Sequence, residues 1–290
     1  MDPRILDRLR CPICGEPLAE TTAGTARALR CPRGHSFDMA RQGYVNLLAG
    51  RAPHSGDSAE MVAARADFLV AGHYDPVSDA LAAAATQAVR HLHNGSSLDA
   101  YPLVVDAGAG TGRYLGAVLA ALPDAVGLAL DVSKPALRRA ARAHPRAAAA
   151  LADTWQRLPL ADGSTAVLLN VFAPRNGAEF HRVLDPAGTL LVVTPAADHL
   201  TELVDALDLL RVDPDKADRV AASLGGHFTP VGGTVHRAEL ALTRPEVATL
   251  VGMGPSAWHT NPTALAGRLA ALPEPVRVRV AVRLDAYRRR

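Results

Sequence analysis

Short runs of consecutive apolar residues alternate with helix-period segments through the second two-thirds of the chain. The first run, Leu103–Val105, is rich in β-branched residues and ends at Asp106, and further runs lie in AVGLALD, AAAALAD, TAVLLN and TLLVV. Such runs without polar alternation are typical of strands buried on both faces, and parallel strands need helical crossovers. The pattern predicts an α/β fold with a mostly parallel sheet between helices.

Two flanking regions extend this pattern. The C-terminal segments TVHRAELAL and PVRVRVAVRLDAY predict a strand hairpin at one edge of the sheet, with helices over RPEVATLVGM and TNPTALAGRLAAL between them. Before the sheet, Asp57 with Glu60 three residues later predicts a capping box that begins a helix. Residues 76–92 predict a second, alanine-rich helix.

Composition excludes several classes of protein. The net charge of the 290 residues is only +2, so a globally basic nucleic-acid binder is not indicated. The N-terminus, MDPRILDRLR, is too charged for a signal peptide, and no run approaches the roughly 18 apolar residues of a membrane span. We therefore expect a cytoplasmic protein without contact to a membrane and without disulfides, because the cytosol keeps thiols reduced.

All three cysteines lie within 25 residues near the N-terminus. Cys11 and Cys14 form a C-x2-C pair, and Cys31 is followed by His35, with Pro and Gly residues at both turns. Three thiolates and an imidazole at this spacing favour tetrahedral zinc. Because four protein ligands leave no position for water, the sequence predicts a structural zinc ribbon.

A glycine-rich turn follows the first predicted strand. Asp106 precedes Gly108, Gly110 and Gly112, after which a helix pattern begins. Strand, glycine turn and helix together let a ligand approach the backbone closely. The glycines alone would serve a dinucleotide equally well, but an acid before them suits an amine or a ribose better than a pyrophosphate.

Two further acids follow the next two predicted strands. Asp131 ends AVGLALD, where it suits a ribose diol, and Asp153 follows the third strand, where it can meet an adenine edge. Each alone is equally compatible with a helix cap or a turn. Three acids at successive strand ends favour a nucleoside ligand.

This order of motifs resembles the class I S-adenosylmethionine-dependent methyltransferases. The combination with a Cys3His finger and with HSFDMARQGYVNLL, DSAEMVAARADFLVAGHY, LDVSKPAL and NVFAPRN resembles the 23S rRNA (guanine-N1)-methyltransferase family. Within that family it is similar to the subgroup that protects macrolide-producing actinomycetes (tylosin or mycinamicin producers). The resemblance covers nearly the whole chain.

The resemblance implies a Rossmann-like methyltransferase domain with a seven-stranded, mostly parallel sheet over residues 101–290. It implies a zinc-binding RNA-recognition domain over residues 1–43, with a linker and capping helices over 44–100. The implied reaction is methylation of guanine N1 in a domain II hairpin loop of 23S rRNA, at nucleotide 748 rather than 745, with macrolide resistance. S-adenosylmethionine and structural zinc are the implied cofactors, and a homodimer is possible.

Particular residues follow from the same resemblance. Zinc is expected at the four residues of the cysteine cluster, and the target nitrogen at Asn170, with Phe172 supporting the base. Asn170 is equally expected to contact the cofactor, or merely to cap the next turn. No histidine is assigned as a general base. The implied cofactor site comprises Asp106, Gly108, Gly110, Gly112, Asp131, Asp153 and Asn170.

RNA contacts are expected from local arginine clusters in a chain with 29 arginines and two lysines. The clusters are Arg4, Arg8, Arg10, Arg27, Arg30, Arg33, Arg41 and Arg51 before and after the cysteines, then Arg138, Arg139, Arg142 and Arg146, and the C-terminal YRRR. A solvated charged face is an equal alternative for the second cluster, and a frayed chain end for the third. Phe37, Tyr44 and Trp258 are the candidate stacking platforms, although core packing is favoured for Phe37. Two alternatives stay open: a small-molecule methyltransferase with a structural zinc ribbon, and a catalytically silent zinc-dependent RNA-binding protein.

Overall fold

The computed structural model describes residues 1–23, 26–50, 54–93, 101–211, 216–254 and 261–290. The strands are β1 (Ala19–Ala23), β2 (Ala26–Arg30), β3 (Ser36–Asp38), β4 (Tyr44–Asn46), β5 (Leu103–Ala107), β6 (Val126–Asp131), β7 (Ala147–Leu151), β8 (Thr165–Val171), β9 (Leu184–Pro195), β10 (Phe228–Leu242) and β11 (Val276–Arg289). The helices are α1 (Pro3–Leu6), α2 (Ala59–Val70), α3 (Asp75–His93), α4 (Arg113–Ala121), α5 (Lys134–Ala140), α6 (Gly177–Val183), α7 (Thr201–Leu207), α8 (Lys216–Gly225), α9 (Arg244–Gly252) and α10 (Pro262–Ala271).

The main sheet has the order β10-β11-β9-β8-β5-β6-β7-β4. Neighbours from β9 to β4 are parallel, whereas β11 is antiparallel to both β9 and β10. The predicted α/β fold and C-terminal hairpin are therefore confirmed. Strand order reverses between β5 and β8, and such a switch point opens a crevice at the carboxyl ends of the strands.

The sheet has one strand more than the seven that were expected. Tyr44–Asn46 form β4, which pairs in parallel with β7 and continues with a hydrogen bond of 3.0 Å from Leu47 N–H to Leu151 O. The segment was interpreted as the beginning of a linker because three residues show no periodicity. In the fold it covers the otherwise exposed edge of β7, which would present unpaired backbone groups to solvent.

The zinc ribbon packs directly on this sheet. Strands β1, β2 and β3 form a small antiparallel sheet of their own, and residues of the ribbon, including Leu9 and Leu29, share one buried cluster with Val105 and Leu130 of the main sheet. Leu9 also forms an antiparallel bridge with Leu160 in the loop after β7. The ribbon and the larger unit therefore share part of their hydrophobic core.

Helix α2 begins one residue later than predicted. Ser58, not Asp57, is the N-cap, and its hydroxyl accepts a hydrogen bond from Met61 N–H at 3.2 Å. Asp57 instead pairs with Arg65, and its carbonyl accepts a hydrogen bond from Ser133 Oγ at 2.8 Å. These contacts hold the start of α2 against the loop after β6. Within the described ranges, no helix has the length and apolar character needed to cross a membrane.

Candidate active site and zinc site

The glycine turn lies at the switch point, between β5 and α4. Gly108, Gly110 and Gly112 all have positive φ (86°, 54° and 78°), a region that side chains disfavour. A Cβ on Gly108 would lie 2.4 Å from Ala173 Cβ, and one on Gly112 would lie 2.9 Å from Ala140 Cα. At Gly110 the nearest atom is Nη1 of Arg65, at 3.5 Å. Gly108 and Gly112 thus permit close packing, whereas a side chain at Gly110 would contact Arg65 and would be opposed mainly by the positive φ.

Asp131 organises this turn from the end of β6. Its Oδ2 accepts a hydrogen bond from Gly110 N–H and its Oδ1 accepts one from Ser133 N–H, each at 2.8 Å. Burial raises the pKa of Asp131, while the two backbone donors oppose this rise. Each oxygen keeps a second lone pair, with which the carboxylate can accept from a ribose hydroxyl.

Asp106 is buried and unsatisfied at the end of β5. Neither of its carboxylate oxygens has a hydrogen-bond partner within the described part of the chain. Burial, and secondly the charge of Asp131, raises the pKa of Asp106 to about 8. A buried carboxyl without donors is unfavourable in isolation, so this position suits a cationic ligand.

Asp153 follows β7 and faces a segment that precedes α2. His54 Nδ1 donates to Asp153 Oδ2 at 3.0 Å, and Trp155 N–H donates to Oδ1 at the same distance. His54 was absent from the predicted site. Sequence reasoning missed it because the contact spans 99 residues and carries no local motif.

Asn170 is fully buried at the end of β8, and its amide has a fixed orientation. Nδ2 donates to Ala107 O at 3.1 Å and to Pro174 O at 2.8 Å. Because both acceptors are carbonyl oxygens, they assign the nitrogen to this side of the amide. Oδ1 is left without a described partner. Asn170 therefore presents a buried hydrogen-bond acceptor.

Phe172 and two residues not predicted from the sequence form an aromatic cluster beside this amide. Phe172 has φ 53° and is 41% exposed. Its ring centroid lies 6.4 Å from those of Tyr74 and His199, which are themselves 6.5 Å apart. A strained residue that is held exposed at a crevice is typical of a functional site. The only local signals for its neighbours were the GHY sequence before α3 and the histidine after β9.

Backbone hydrogen bonding fixes the role that His199 can play. Ala281 N–H donates to His199 Nδ1 at 3.2 Å, so a neutral ring carries its proton on Nε2. Nε2 lies 3.5 Å from Tyr74 Oη, and burial raises the pKa of Tyr74. The Nε2 of His199 and the hydroxyl of Tyr74 thus both carry protons, so neither group is a general base in this arrangement.

The crevice fits S-adenosylmethionine. The unsatisfied oxygens of Asp106 suit its ammonium group, and the carboxylates of Asp131 and Asp153 suit its ribose and adenine. Gly110 has a positive φ that a side chain would oppose. The hydrogen-bonding groups of the crevice thus match those of the cofactor.

The predicted zinc ligands come together. The ligand atoms of Cys11, Cys14, Cys31 and His35 all lie within 4.8 Å of one another. Cys14 Sγ to Cys31 Sγ is 3.7 Å, and His35 Nδ1 lies 3.6 Å from Cys11 Sγ and 3.3 Å from Cys31 Sγ. Zn–S and Zn–N bonds of about 2.3 and 2.0–2.1 Å require tetrahedral edges of roughly 3.5–3.8 Å. The geometry fits one zinc ion.

The arginines that were expected to bind RNA fall into two groups, those with internal partners and those that are exposed. Arg27 pairs with Glu20, and the guanidinium of Arg146 donates to three carbonyl oxygens around the end of α4. Near the zinc site, Arg33 is 67% exposed with only a 3.8 Å ion pair to Glu16, and Arg41 is exposed without an ion pair in the described residues. Arg51 lies outside these residues. Internal contacts also engage Arg4, Arg8, Arg10, Arg288 and Arg289.

Two of the candidate stacking platforms are core residues: this confirms the core packing favoured for Phe37, whereas the stacking role considered for Tyr44 is wrong. Phe37 and Tyr44 are 8% and 7% exposed because they pack in the two hydrophobic clusters, so neither can stack on a base. Trp258 lies outside the described residues. Among the described residues at the carboxyl edge of the sheet, Phe172 and Trp155 have exposed aromatic rings, and Trp155 was not among the predicted site residues.

The parallel sheet, the glycine turn and the acids at the strand ends define a class I-type methyltransferase with a zinc ribbon. A model of the RlmA N-terminal zinc ribbon matches residues 9–55. The chain is 69% identical, over 99% of both chains, to a Micromonospora griseorubida protein provisionally named 23S rRNA (guanine-N1)-methyltransferase. It is 51% identical, over 94% of both, to the 23S rRNA (guanine(748)-N1)-methyltransferase of Streptomyces fradiae. The chain belongs to the 23S rRNA (guanine-N1)-methyltransferase family.

Proposed function

We propose that this enzyme transfers a methyl group from S-adenosylmethionine to N1 of a guanine in a domain II hairpin loop of 23S rRNA. Nucleotide 748 is the expected target, as the name of the Streptomyces fradiae relative suggests, and macrolide resistance is the expected consequence. The observation that carries the proposal is the buried Oδ1 of Asn170 at the switch point, which has no hydrogen-bond partner in the described part of the chain. In this proposal it is the acceptor that faces the target guanine.

The reaction requires a bond to form at a nitrogen that carries a proton. S-adenosylmethionine supplies a methyl group that its sulfonium already makes electrophilic. The N1–C bond forms as the S–C bond breaks, the N1 proton leaves to solvent, and S-adenosylhomocysteine remains. Asn170 Oδ1 accepts from the Watson–Crick edge and so holds N1 in line with the methyl group. An amide oxygen is too weak a base to keep the proton, so Asn170 orients the base.

Phe172 supports the plane of the same base. Its ring is exposed beside Asn170, and the rings of Tyr74 and His199 limit its movement. Unpaired bases in RNA are commonly recognised by stacking on an aromatic side chain together with hydrogen bonds to the Watson–Crick edge. Phe172 and Asn170 provide one contact of each kind.

The two parts of the chain have separate roles in this proposal. Residues 1–43 hold zinc and recognise the hairpin, while residues 101–290 bind the cofactor and transfer the methyl group. The cytoplasm is the expected location, where ribosomal RNA is available and the cysteine thiolates stay reduced for zinc. A homodimer stays a prediction.

Mass mapping of a methylated hairpin transcript tests the proposal. The wild type should produce 1-methylguanine at the position equivalent to 748, and Asn170→Ala should lower kcat at least tenfold with little change in RNA affinity. Asn261→Ser is the matched control, because serine also caps α10. Methyl transfer to a metabolite extract but not to RNA would favour the small-molecule alternative. RNA binding without any transfer would favour the silent binding protein.

A further inference from the structure

We propose that Trp155 is a stacking platform for an unpaired RNA base next to the target guanine, an inference that rests on the proposed function. Trp155 is 52% exposed and follows Asp153 at the carboxyl edge of the sheet. A large aromatic ring left half in water gains little for folding, whereas stacking on a nucleobase would remove its face from solvent.

The backbone of Trp155 is held on both sides. Its N–H donates to Asp153 Oδ1 at 3.0 Å, and its carbonyl accepts from Asn176 Nδ2 at 3.1 Å. Asn176 is the N-cap of α6 and ends the loop that carries Phe172 and follows the strand that carries Asn170. The backbone of Trp155 is therefore tied to the proposed base site and to the cofactor site, so this backbone needs little ordering when the ring binds a base.

The loop after β7, which carries Trp155, also contacts the zinc ribbon. Arg10 N–H donates to Pro159 O at 3.0 Å, and Ala161 N–H donates to Arg8 O at 2.9 Å. Arg10 directly precedes the zinc ligand Cys11. The loop thus runs from the cofactor edge to the ribbon, and Trp155 lies on the path that an RNA bound by both would follow.

Charge around the ring favours RNA as the occupant. Arg157, two residues on, is exposed and has no ion pair in the described ranges. An exposed arginine close in sequence to an exposed ring combines a phosphate contact with the stacking surface that single-stranded RNA requires.

Kinetics with the hairpin substrate test the assignment. Trp155→Ala should raise the KM for RNA roughly 5- to 140-fold, which corresponds to the 1–3 kcal/mol of one stacked base. Trp155→Phe should restore most of that affinity, because it keeps an aromatic face. Affinity for S-adenosylhomocysteine should not change in either variant. Val70→Ala, which removes exposed apolar surface on α2, is the control.

Fluorescence gives a second readout that does not depend on how Trp155→Ala folds. The chain has two tryptophans, so the emission lost in Trp155→Phe belongs to Trp155. The hairpin should quench that part of the wild-type emission, and S-adenosylhomocysteine alone should not. Quenching by the cofactor alone, together with weaker cofactor binding in Trp155→Ala, would place the ring in the adenine pocket and overturn the proposal.

Abasic substitutions in the RNA loop identify the partner base. At one position next to the target, an abasic nucleotide should lower the RNA affinity of the wild type. The same nucleotide should not lower the RNA affinity of Trp155→Ala any further, because the missing base and the missing ring remove the same contact. Additive losses at every position would refute stacking on this ring. Absence of methylation and binding by the wild type would instead contradict the proposed function itself.

Discussion

Asp131 and Gly110 are joined by a hydrogen bond of 2.8 Å from the glycine N–H to Oδ2 of the carboxylate. This bond makes one side chain both a support of the glycine turn and a proposed ribose ligand. The second oxygen accepts from Ser133 N–H, so the carboxylate joins the turn after β5 to the loop after β6. Loss of Asp131 should therefore weaken cofactor binding in two ways, because the glycine turn loses its support and the ribose loses its proposed ligand.

Asp131→Ala should weaken S-adenosylmethionine binding roughly 10- to 140-fold, since hydrogen bonds to a charged group contribute about 1.5–3 kcal/mol. Asp131→Asn should restore little of the lost affinity. Both carboxylate oxygens accept from backbone N–H groups, so the NH2 group of asparagine would face one of these donors in either orientation. Calorimetry measures both affinities. Asp124→Ala, in the exposed turn before β6, is the control and should bind normally. Normal binding by Asp131→Ala would mean that the cofactor lies elsewhere.

The acids of this site could be predicted from sequence because parallel strands bring their carboxyl ends to one edge. Asp106, Asp131 and Asp153 each follow an apolar run, and the run itself gives their position. Tyr74 and His199 could not be found in this way. They come from the start of α3 and the loop after β9, and only the folded chain brings them to Phe172.

The hydrogen-bond partners of polar side chains could not be predicted from the sequence either. Arg146 belongs to a run of arginines that suggested phosphate binding, but its guanidinium binds carbonyl oxygens at the end of α4. Asp57 was the expected helix cap, but its neighbour Ser58 fills that role. Composition and spacing show which groups are present, whereas the partner of each group depends on tertiary packing.

Asp106 should make the stability of the cofactor-free enzyme depend on pH. An unfolded aspartate releases its proton near pH 4, whereas the folded pKa is raised to about 8, mainly by burial. Between these values the folded state holds a proton that the unfolded state has lost. Stability should therefore fall as pH rises through this window, by up to about 1.4 kcal/mol per pH unit, and level off above it.

Asp106→Asn isolates this contribution, because asparagine does not titrate. Urea unfolding without cofactor should show the variant gaining stability over the wild type from pH 5 to 8, with no further gain at pH 9. The same variant should bind S-adenosylmethionine more weakly, because the ammonium group loses its counter-charge. A stability difference that stays constant over this range would show that Asp106 is ionised in the folded enzyme.

Removal of zinc should destabilise more than the ribbon. Cys11 and Cys31 belong to the same buried cluster as Leu9, Val105 and Leu130, so loss of the metal disturbs core shared with the main sheet. Cys14→Ser should abolish zinc binding and lower the melting temperature of the whole chain in one transition. Metal analysis and calorimetry measure the two effects. Two separate transitions would show that the ribbon unfolds alone, and freshly purified wild type without zinc would refute the metal site.

The exposed arginines of the ribbon should control RNA affinity without affecting the cofactor. Arg33 and Arg41 project from the ribbon and the turn before β4, and neither has a close carboxylate partner in the described structure. If each contacts one phosphate, Arg33→Ala with Arg41→Ala should reduce the log–log salt slope of hairpin binding by roughly 1.4–1.8. The KM for RNA should rise, while affinity for S-adenosylmethionine stays constant.

A charge-matched control separates phosphate contacts from net charge. Arg211→Ala with Arg237→Ala removes the same two charges, but both arginines pair with aspartates, and Arg237 lies on β10 at the opposite edge of the sheet from β4. This double variant should keep the wild-type salt slope. If both double variants lower the slope equally, net charge alone attracts the RNA. If the ribbon variant loses cofactor binding and keeps its slope, the ribbon supports the methyltransferase site, and phosphate binding has to come from Arg138, Arg139 and Arg142 on and just after α5.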